Sequence, residues 1–118
     1  MQMKVSFRGM SASPGIEALV EDWAMRLQAV YGRLQRCEVV VDAPHRRRRH
    51  GDPCSVRVSL GVPGGQLDVR HEPGPGDDTD IYLAVRDAFR AARRRLEDHV
   101  GRVLRREVKG PAERDVAL

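Results

Sequence analysis

Hydrophobic and polar residues alternate in four short stretches of the chain. The alternating hydrophobic residues are Met3, Val5 and Phe7, then Cys37, Val39 and Val41, then Cys54, Val56, Val58, Leu60 and Val62, and finally Leu67 and Val69. A period of two is typical of a β-strand with one buried face. We therefore predict four strands that turn these residues toward a common core.

Two longer stretches repeat their hydrophobic residues at helical spacing instead. The first stripe is Ile16, Leu19, Val20, Trp23, Leu27, Val30 and Tyr31, and the second is Ile81, Val85, Phe89, Ala92, Leu96, Val100 and Val103. Ser13 and Pro14 are typical of a helix start, and Gly32 is typical of a helix end. Thr79 or Asp80 is the predicted cap of the second helix.

The predicted order of elements is β-α-β-β-β-α, which indicates an α+β fold. Two helices with one apolar stripe each cover one face of a four-stranded mixed sheet, in a two-layer sandwich. A right-handed crossover makes the first two strands parallel if they are neighbours. The other three strands then form an antiparallel meander.

The predicted pairing of the strands places individual residues side by side. Residues 63–65 read PGG, which is typical of a tight turn. Across this turn we expect Val62 to pair with Leu67, and Leu60 with Val69. In the preceding hairpin, Cys37 is expected beside residue 60 and Cys54 beside residue 43. This register separates the two cysteines too far along the sheet for a disulfide.

Length and composition limit the remaining possibilities. The chain has 118 residues, enough for one domain, which we assign to residues 1–106. Residues 107–118 lack hydrophobic periodicity and are predicted to be a flexible C-terminal tail. The sequence contains neither an apolar run of membrane-spanning length nor a recognisable signal peptide, so we expect a cytoplasmic protein.

Positive charge is concentrated in one loop and one helix. Lys and Arg number 21 against 17 Asp and Glu, a net charge of +4. The loop between the second and third strands reads PHRRRRHGDP at residues 44–53, and the second helix carries eight arginines against three acids. Clustered arginines neutralise phosphates and release counterions, which favours nucleic-acid binding. A solvated charged surface is the alternative interpretation.

Enzymatic function has little support in the sequence. No Ser or Cys nucleophile has a base at motif spacing, and no phosphate-loop motif is present. His45, His50 and Cys54 do not match the spacing of a standard metal site. We expect no catalytic residue, no cofactor and no small-molecule substrate.

Most of the five aromatic residues fall on core stripes, so stacking on unpaired bases is not expected to be the main mode of RNA binding. Tyr82 is the exception.

Several stretches together resemble the ribosome hibernation promoting factors and ribosome-associated inhibitors, a family historically linked to modulation of the alternative sigma factor sigma-54. They are MQMKVSFRGM at the start, RLQAVYGRL in the first helix, HRRRRHGDP in the loop, VPGGQLDV in the turn, and DIYLAVRDAF followed by RRRL in the second helix. The resemblance covers roughly residues 1–106. Because the 118-residue chain ends too early for the second domain of the long members, it resembles the short members. The resemblance implies a fold akin to the double-stranded-RNA-binding domain.

The resemblance also implies a function and a partner. Family members occupy the channel for messenger RNA and tRNA on the small ribosomal subunit and silence translation in starvation or stationary phase. The expected partner is therefore the small subunit, through phosphates of 16S rRNA, with the protein a monomer off the ribosome and no membrane partner. A regulator of a sigma factor that uses the same fold without the ribosome is the alternative.

The expected RNA-binding residues combine the charge pattern with the resemblance. Arg26, Arg33, His45, Arg47 and Arg94 match basic positions of the family, whereas Ala91, Glu97 and Asp98 depart from its basic pattern. The full expected set is Arg26, Arg33, His45, Arg46, Arg47, Arg48, Arg49, His50, Arg86, Arg90, Arg93, Arg94 and Arg95. Arg57 and Arg70, on the polar face of the strands, are not included.

Overall fold

The six predicted elements are all present and in the predicted order. The computed structural model describes residues 1–43, 54–72 and 80–117, with side chains up to residue 106. The elements are β1 (Gln2–Arg8), α1 (Pro14–Val30), β2 (Arg36–Asp42), β3 (Ser55–Val62), β4 (Gly65–His71) and α2 (Ile81–Ala117).

The four strands form one mixed sheet in the order β1-β2-β3-β4. β1 runs parallel to β2, while β2, β3 and β4 pair antiparallel. The predicted α+β sandwich with a mixed sheet is therefore confirmed. The crossover through α1 accounts for the parallel pair, and the short connections account for the meander.

The register between β3 and β4 differs from the predicted one. Leu60 pairs with Leu67, and Val62 pairs with Gly65, so the expected pairs Val62–Leu67 and Leu60–Val69 were wrong. The turn consists of Pro63 and Gly64 alone, with Gly64 at a φ of 81°, and Gly65 already belongs to the strand. Because the partner shifts by two residues, each side chain stays on its predicted face.

The helices begin where the sequence places their caps. The Ser13 hydroxyl accepts a hydrogen bond from the backbone N–H of Ile16 at 3.2 Å, with Pro14 in the first turn. The Asp80 carboxylate accepts one from the backbone N–H of Tyr82 at 2.9 Å, so Asp80 caps α2. Both contacts satisfy donors that a helix start leaves without partners.

At its other end, α2 continues beyond residue 106, and its backbone is helical to Ala117. The predicted boundary between the domain and a tail therefore does not coincide with a helix end. That division of the chain stays a prediction.

One face of the sheet and both helices enclose the core. The buried residues include Val39, Val58 and Leu60 from the strands, with Leu27 from α1 and Phe89 from α2. The opposite face of the sheet carries polar residues and is not covered by a helix. A buried large side chain contributes roughly 1.5–3 kcal/mol relative to exposure, so this single core supplies the main stabilisation of the fold.

The two helices run parallel to each other. Tyr82 at the start of α2 lies against Gly15 at the start of α1. The rings of Trp23 and Phe89 stack further along, with centroids 5.9 Å apart. Tyr31 meets His99 edge to face at 6.0 Å beyond that. Contacts in the same order along both helices fix their relative direction.

Both helices start near the same end of the sheet, which we call the loop end. It is the end where Arg8, Asp42, Ser55 and His71 lie, at the junctions with the flanking loops. His71 Nε2 is 3.9 Å from Asp87 Oδ2 in the second turn of α2, which ties that helix to the same end.

Both cysteines are buried and free, as the register predicts. Cys37 pairs with Leu60 across β2 and β3. Burial, with a smaller contribution from the Glu38 carboxylate, raises the pKa of the Cys37 thiol to about 12. The thiol therefore stays protonated at neutral pH and packs as an apolar side chain.

Candidate nucleic-acid interface

The five predicted arginines of α2 lie outside its buried stripe. Phe89, Ala92 and Leu96 point into the core. Because the intervening residues turn away from that stripe, Arg90, Arg93, Arg94 and Arg95 are exposed and Arg86 is half-buried. A rigid helix thus fixes the spacing of these cations.

Two of these arginines have acidic neighbours on the same helix. Arg86 Nη2 lies 3.0 Å from Asp87 Oδ1, and Arg93 Nε lies 3.5 Å from Glu97 Oε2. The side chains of the second pair are 50% exposed, so the pair contributes little stability. Glu97, one of the departures from the family pattern, thus partly neutralises the charge of Arg93.

Arg26 joins this surface from α1 through an aromatic stack. Its guanidinium lies 4.9 Å from the centroid of the Trp23 ring, and Trp23 stacks on Phe89 of α2. Arg26 also pairs with Asp22 at 2.8 Å, one turn earlier. The Trp23 ring therefore supports the Arg26 cation at the boundary between the two helices.

The helices bring together five of the predicted residues, which we call the helix face. Arg86 and Arg93 lie three residues before and four residues after Phe89, so they border the seam where Arg26 sits. Arg90 and Arg94 continue the surface outward. The helix face is made of Arg26, Arg86, Arg90, Arg93 and Arg94.

Two other predicted residues lie away from the helix face. Arg95 is on the side of α2 that faces β4, since its charge helps lower the pKa of the Asp68 carboxyl on that strand. Arg33 lies in the turn after α1, beyond the Tyr31 cap, and it has an interaction partner within the protein.

The predicted loop residues His45, Arg46, Arg47, Arg48, Arg49 and His50 lie outside the described residues. The residues that flank the loop are Ala43 and Cys54, both buried at the loop end of the sheet. The Ala43 N–H donates to the Arg8 carbonyl at 2.9 Å. The loop is therefore attached to the sheet at the end where α1 and α2 begin.

A second group of arginines, which the sequence interpretation set aside, lies on the uncovered face of the sheet. Arg57 of β3 and Arg70 of β4 are direct cross-strand partners. With Arg8 of β1 they line an open cleft of about 200 Å³, which we call the sheet cleft. Strand alternation predicts the face of the sheet on which Arg57 and Arg70 lie. Their proximity depends on the register between β3 and β4, and the register predicted from the sequence was two residues off.

Polar contacts hold the neighbouring part of that face in place. A hydrogen bond from the Ser59 side chain, and a second from the Gln66 amide at 2.9 Å, hold the pKa of the Asp68 carboxyl below its usual value. Gln66 also accepts a hydrogen bond from Arg36 at 3.0 Å. Arg36 is therefore oriented within the protein, whereas the sheet cleft opens to solvent.

Neither a metal site nor a membrane-spanning helix is found in the described part of the chain. Residues 1–43, 54–72 and 80–106 contain no group of three His, Cys, Asp or Glu side chains that would hold a metal ion. His45 and His50 of the candidate metal set lie outside these ranges. Among the described residues, no helix has the length and apolarity of a membrane span.

A family model and several solved structures match this chain. The model described as "Sigma 54 modulation protein / S30EA ribosomal protein" matches residues 3–104. The comparison with curated proteins gave no match.

The solved structures establish likeness of fold. A ribosomal subunit interface protein from Coxiella burnetii is 16% identical, with a TM-score of 0.69 over 86% of this chain and 99% of that chain. The N-terminal domain of Protein Y from Thermus thermophilus is 22% identical, with a TM-score of 0.66 over 84% of this chain and 99% of that domain. At these identities the comparison extends to the fold and no further.

Proposed function

Since this chain belongs to the family of Sigma 54 modulation proteins and S30EA ribosomal proteins, we propose that it is a ribosome-associated factor that silences translation. The observation that carries the proposal is the family match over residues 3–104, which includes every residue of the helix face. The neighbour named as a ribosomal subunit interface protein has the same fold as this chain, which is consistent with the assignment.

The finer proposal is that the protein occupies the channel for messenger RNA and tRNA on the small subunit. A channel walled by rRNA presents mainly phosphates, so affinity comes from a fixed array of cations more than from base recognition. The helix face provides such an array, because Arg26, Arg90 and Arg94 extend from two helices that pack against each other. Arg suits this role since its planar guanidinium binds phosphate oxygens in pairs.

The loop and the remaining predicted residues are proposed as further contacts. Arg46, Arg47, Arg48 and Arg49, with His45 and His50, supply the densest charge in the sequence and join the sheet at the loop end. Arg33 and Arg95 lie on other sides of the molecule. They would contact phosphates only if rRNA surrounds the protein, as the walls of a channel do.

Binding, without a chemical step, accounts for silencing in this proposal. The protein blocks the channel during starvation or stationary phase in the cytoplasm, needs no cofactor or small-molecule substrate, and is a monomer off the ribosome.

Tyr82 is the one aromatic side chain suited to stacking on a base, since it is 50% exposed at the start of α2. Its ring also lies against Gly15, so it has a packing role as well.

Sedimentation of lysates from stationary-phase cells tests the proposal. We expect the protein in the fractions of small subunits and complete ribosomes at low salt, and its release when the salt concentration rises. A charge-neutralised variant, Arg90→Gln with Arg94→Gln, should leave the ribosomal fractions at a lower salt concentration than wild type does. Wild-type protein absent from all ribosomal fractions at low salt would contradict ribosome association.

The family description also favours a second candidate function, regulation of the sigma factor sigma-54. In that case the same helix face would contact a protein. Purified sigma factor and purified small subunits, offered together to the tagged protein, separate the two functions. We expect capture of the small subunit, and capture of the sigma factor alone would favour the alternative.

A further inference from the structure

The sheet cleft forms a second cationic surface, on the side of the molecule that no helix covers. Its lining residues come from all four strands: Arg8, Val40, Asp42, Ser55, Arg57 and Arg70. Arg8, Asp42 and Ser55 place it at the loop end, next to the residues from which the arginine loop departs. The cleft therefore lies beside Ala43 and Cys54, the described residues that flank the arginine loop.

The arginine pair at its centre is unfavourable for the isolated protein. Arg57 and Arg70 are directly opposed in the β3–β4 ladder and point to the same face. Like charges in directly opposed positions destabilise a sheet. An anion bound between the two guanidinium groups would remove this repulsion, and departures from the usual pairing rules are common at binding sites.

The nearby carboxylates only partly offset this charge. Glu72 pairs with Arg70 at 2.7 Å, but both side chains are well exposed, at 58% and 60%, so the pair is weak. Asp68 is held by Ser59 and Gln66 and also interacts electrostatically with Arg57; it lines a neighbouring hollow that shares Arg57 and Arg70 with the sheet cleft. Within the cleft, three arginines stand against one acid, Asp42, which pairs in register with Arg8.

We propose that the sheet cleft binds a backbone phosphate of an RNA strand, held by Arg57 and Arg70 with the Ser55 hydroxyl and Arg8 at its side. The two guanidinium groups supply paired donors to phosphate oxygens, and the hydroxyl supplies one more. The proposal rests on the proposed function for the source of the phosphate, rRNA. It adds a contact on the side opposite the helix face, so that RNA is bound on both sides of the protein.

The test uses the full-length, ¹⁵N-labelled protein and no ribosome. A short oligouridylate is titrated while backbone amide shifts are recorded by NMR, with sodium phosphate as the second probe at matched ionic strength. The variant Arg57→Gln with Arg70→Gln removes the central pair. Its matched control, Lys4→Gln with Arg36→Gln, removes the same charge from the same face outside the cleft. Preserved amide dispersion and a cooperative unfolding transition show that both variants are folded, and the cleft variant should unfold at a midpoint no lower than that of wild type because it loses the repulsion between Arg57 and Arg70.

We expect oligouridylate to shift the amides of residues 55–57 and 70, and the cleft variant to bind it roughly tenfold more weakly or worse, judging from bonds to charged groups. The control should bind like wild type. Shifts confined to α2, or equal losses in both variants, would overturn the proposal. Sodium phosphate that saturates the cleft as readily as oligouridylate would also overturn it, in favour of a free-anion site.

Failure here and failure of the proposed function are distinguishable. The NMR titration contains no ribosome, so a negative result leaves the co-sedimentation of the wild-type protein as it is. Conversely, loss of co-sedimentation would not alter a positive titration of the cleft.

Discussion

Gly61 shows how a single missing side chain shapes the polar face of the sheet. A Cβ at this buried position would meet Arg36 Cβ at 2.9 Å and Arg36 Cζ at 3.0 Å. Because the nearest atom is next to the β2 backbone, the Gly61→Ala change forces the two strands apart. We expect a loss of about 1–3 kcal/mol in the free energy of unfolding, measured by urea denaturation.

Gly65→Ala is the matched control, since a Cβ at this position would have no atom within 4 Å and the φ of Gly65 is not positive. It should change the free energy of unfolding by no more than about 0.5 kcal/mol. Equal losses in both variants would show that contact with Arg36 is not the cause.

The thiols provide a second prediction at the residue scale. Because burial raises the pKa of Cys37 to about 12, almost none of this thiol is ionised at pH 8. We expect the native protein to react very slowly with a thiol reagent, and the unfolded, unreduced protein to titrate as two free thiols. A count of zero after unfolding would mean that a disulfide exists and that the register is wrong.

The raised pKa of Cys37 also has a consequence for alkaline stability. A folded pKa above the unfolded value of 9.0 means that the contribution is complete below pH 9 and is lost as the pH rises toward 12. The variant Cys37→Ala removes this ionisation. Its free energy of unfolding should therefore decline less steeply between these pH values than that of wild type.

At the scale of elements, α2 is the part whose charge can be changed with least effect on the core. Arg90 and Arg94 are exposed on the helix face, and Gln has a similar helix propensity. For Arg90→Gln with Arg94→Gln, we expect weaker small-subunit binding and a salt slope reduced by about 0.7–0.9 log units per lost contact. Filter binding across a range of KCl concentrations measures both quantities.

The charge-matched control for α2 is Lys4→Gln with Arg36→Gln on the sheet. Binding that weakens to the same extent in both double variants would indicate a general effect of net charge. In that case the helix face would not be the specific contact surface.

The arginine loop is tested in the same assay. Replacing Arg46, Arg47, Arg48 and Arg49 with Ala should weaken small-subunit binding and flatten its salt dependence. The unfolding midpoint should not move, because the buried residues that flank the loop, Ala43 and Cys54, are kept. Replacement of the four by Lys is the control, which retains the charge but not the paired donors. Unchanged affinity of the Ala variant at matched salt would exclude the loop as a phosphate contact.

The strands and helices were predictable because local sequence signals mark them. The arrangement of the candidate site was not, because it depends on contacts between residues that are far apart in the sequence. Strand alternation, Ser13 and Asp80 identify the elements and helix starts without knowledge of the fold. The proximity of Arg57 and Arg70 depends on a two-residue turn, and the PGG sequence is compatible with more than one turn length. The placement of Arg26 beside α2 depends on Trp23, whose ring the sequence assigned only to the core stripe.

For the whole molecule, silencing by occupancy predicts a fixed stoichiometry. In a purified translation system with constant ribosome concentration, we expect inhibition to rise linearly and to break near one protein per ribosome. Added messenger RNA or initiation factors should relieve it, since they compete for the same channel. Complete inhibition at a small fraction of one protein per ribosome would indicate turnover and would contradict occupancy.

The parallel arrangement of α1 and α2 gives the protein an electrical polarity. The aligned peptide units of each helix place about half a positive elementary charge at its first turn, and both first turns lie at the loop end. The two contributions add, where antiparallel helices would cancel. Near a polyanion the two aligned helices contribute a torque that turns the loop end forward before any contact forms, although the Asp80 carboxylate at the first turn of α2 offsets part of it. The orientation of the encounter is thus biased by the fold itself, in addition to the attraction of individual arginines.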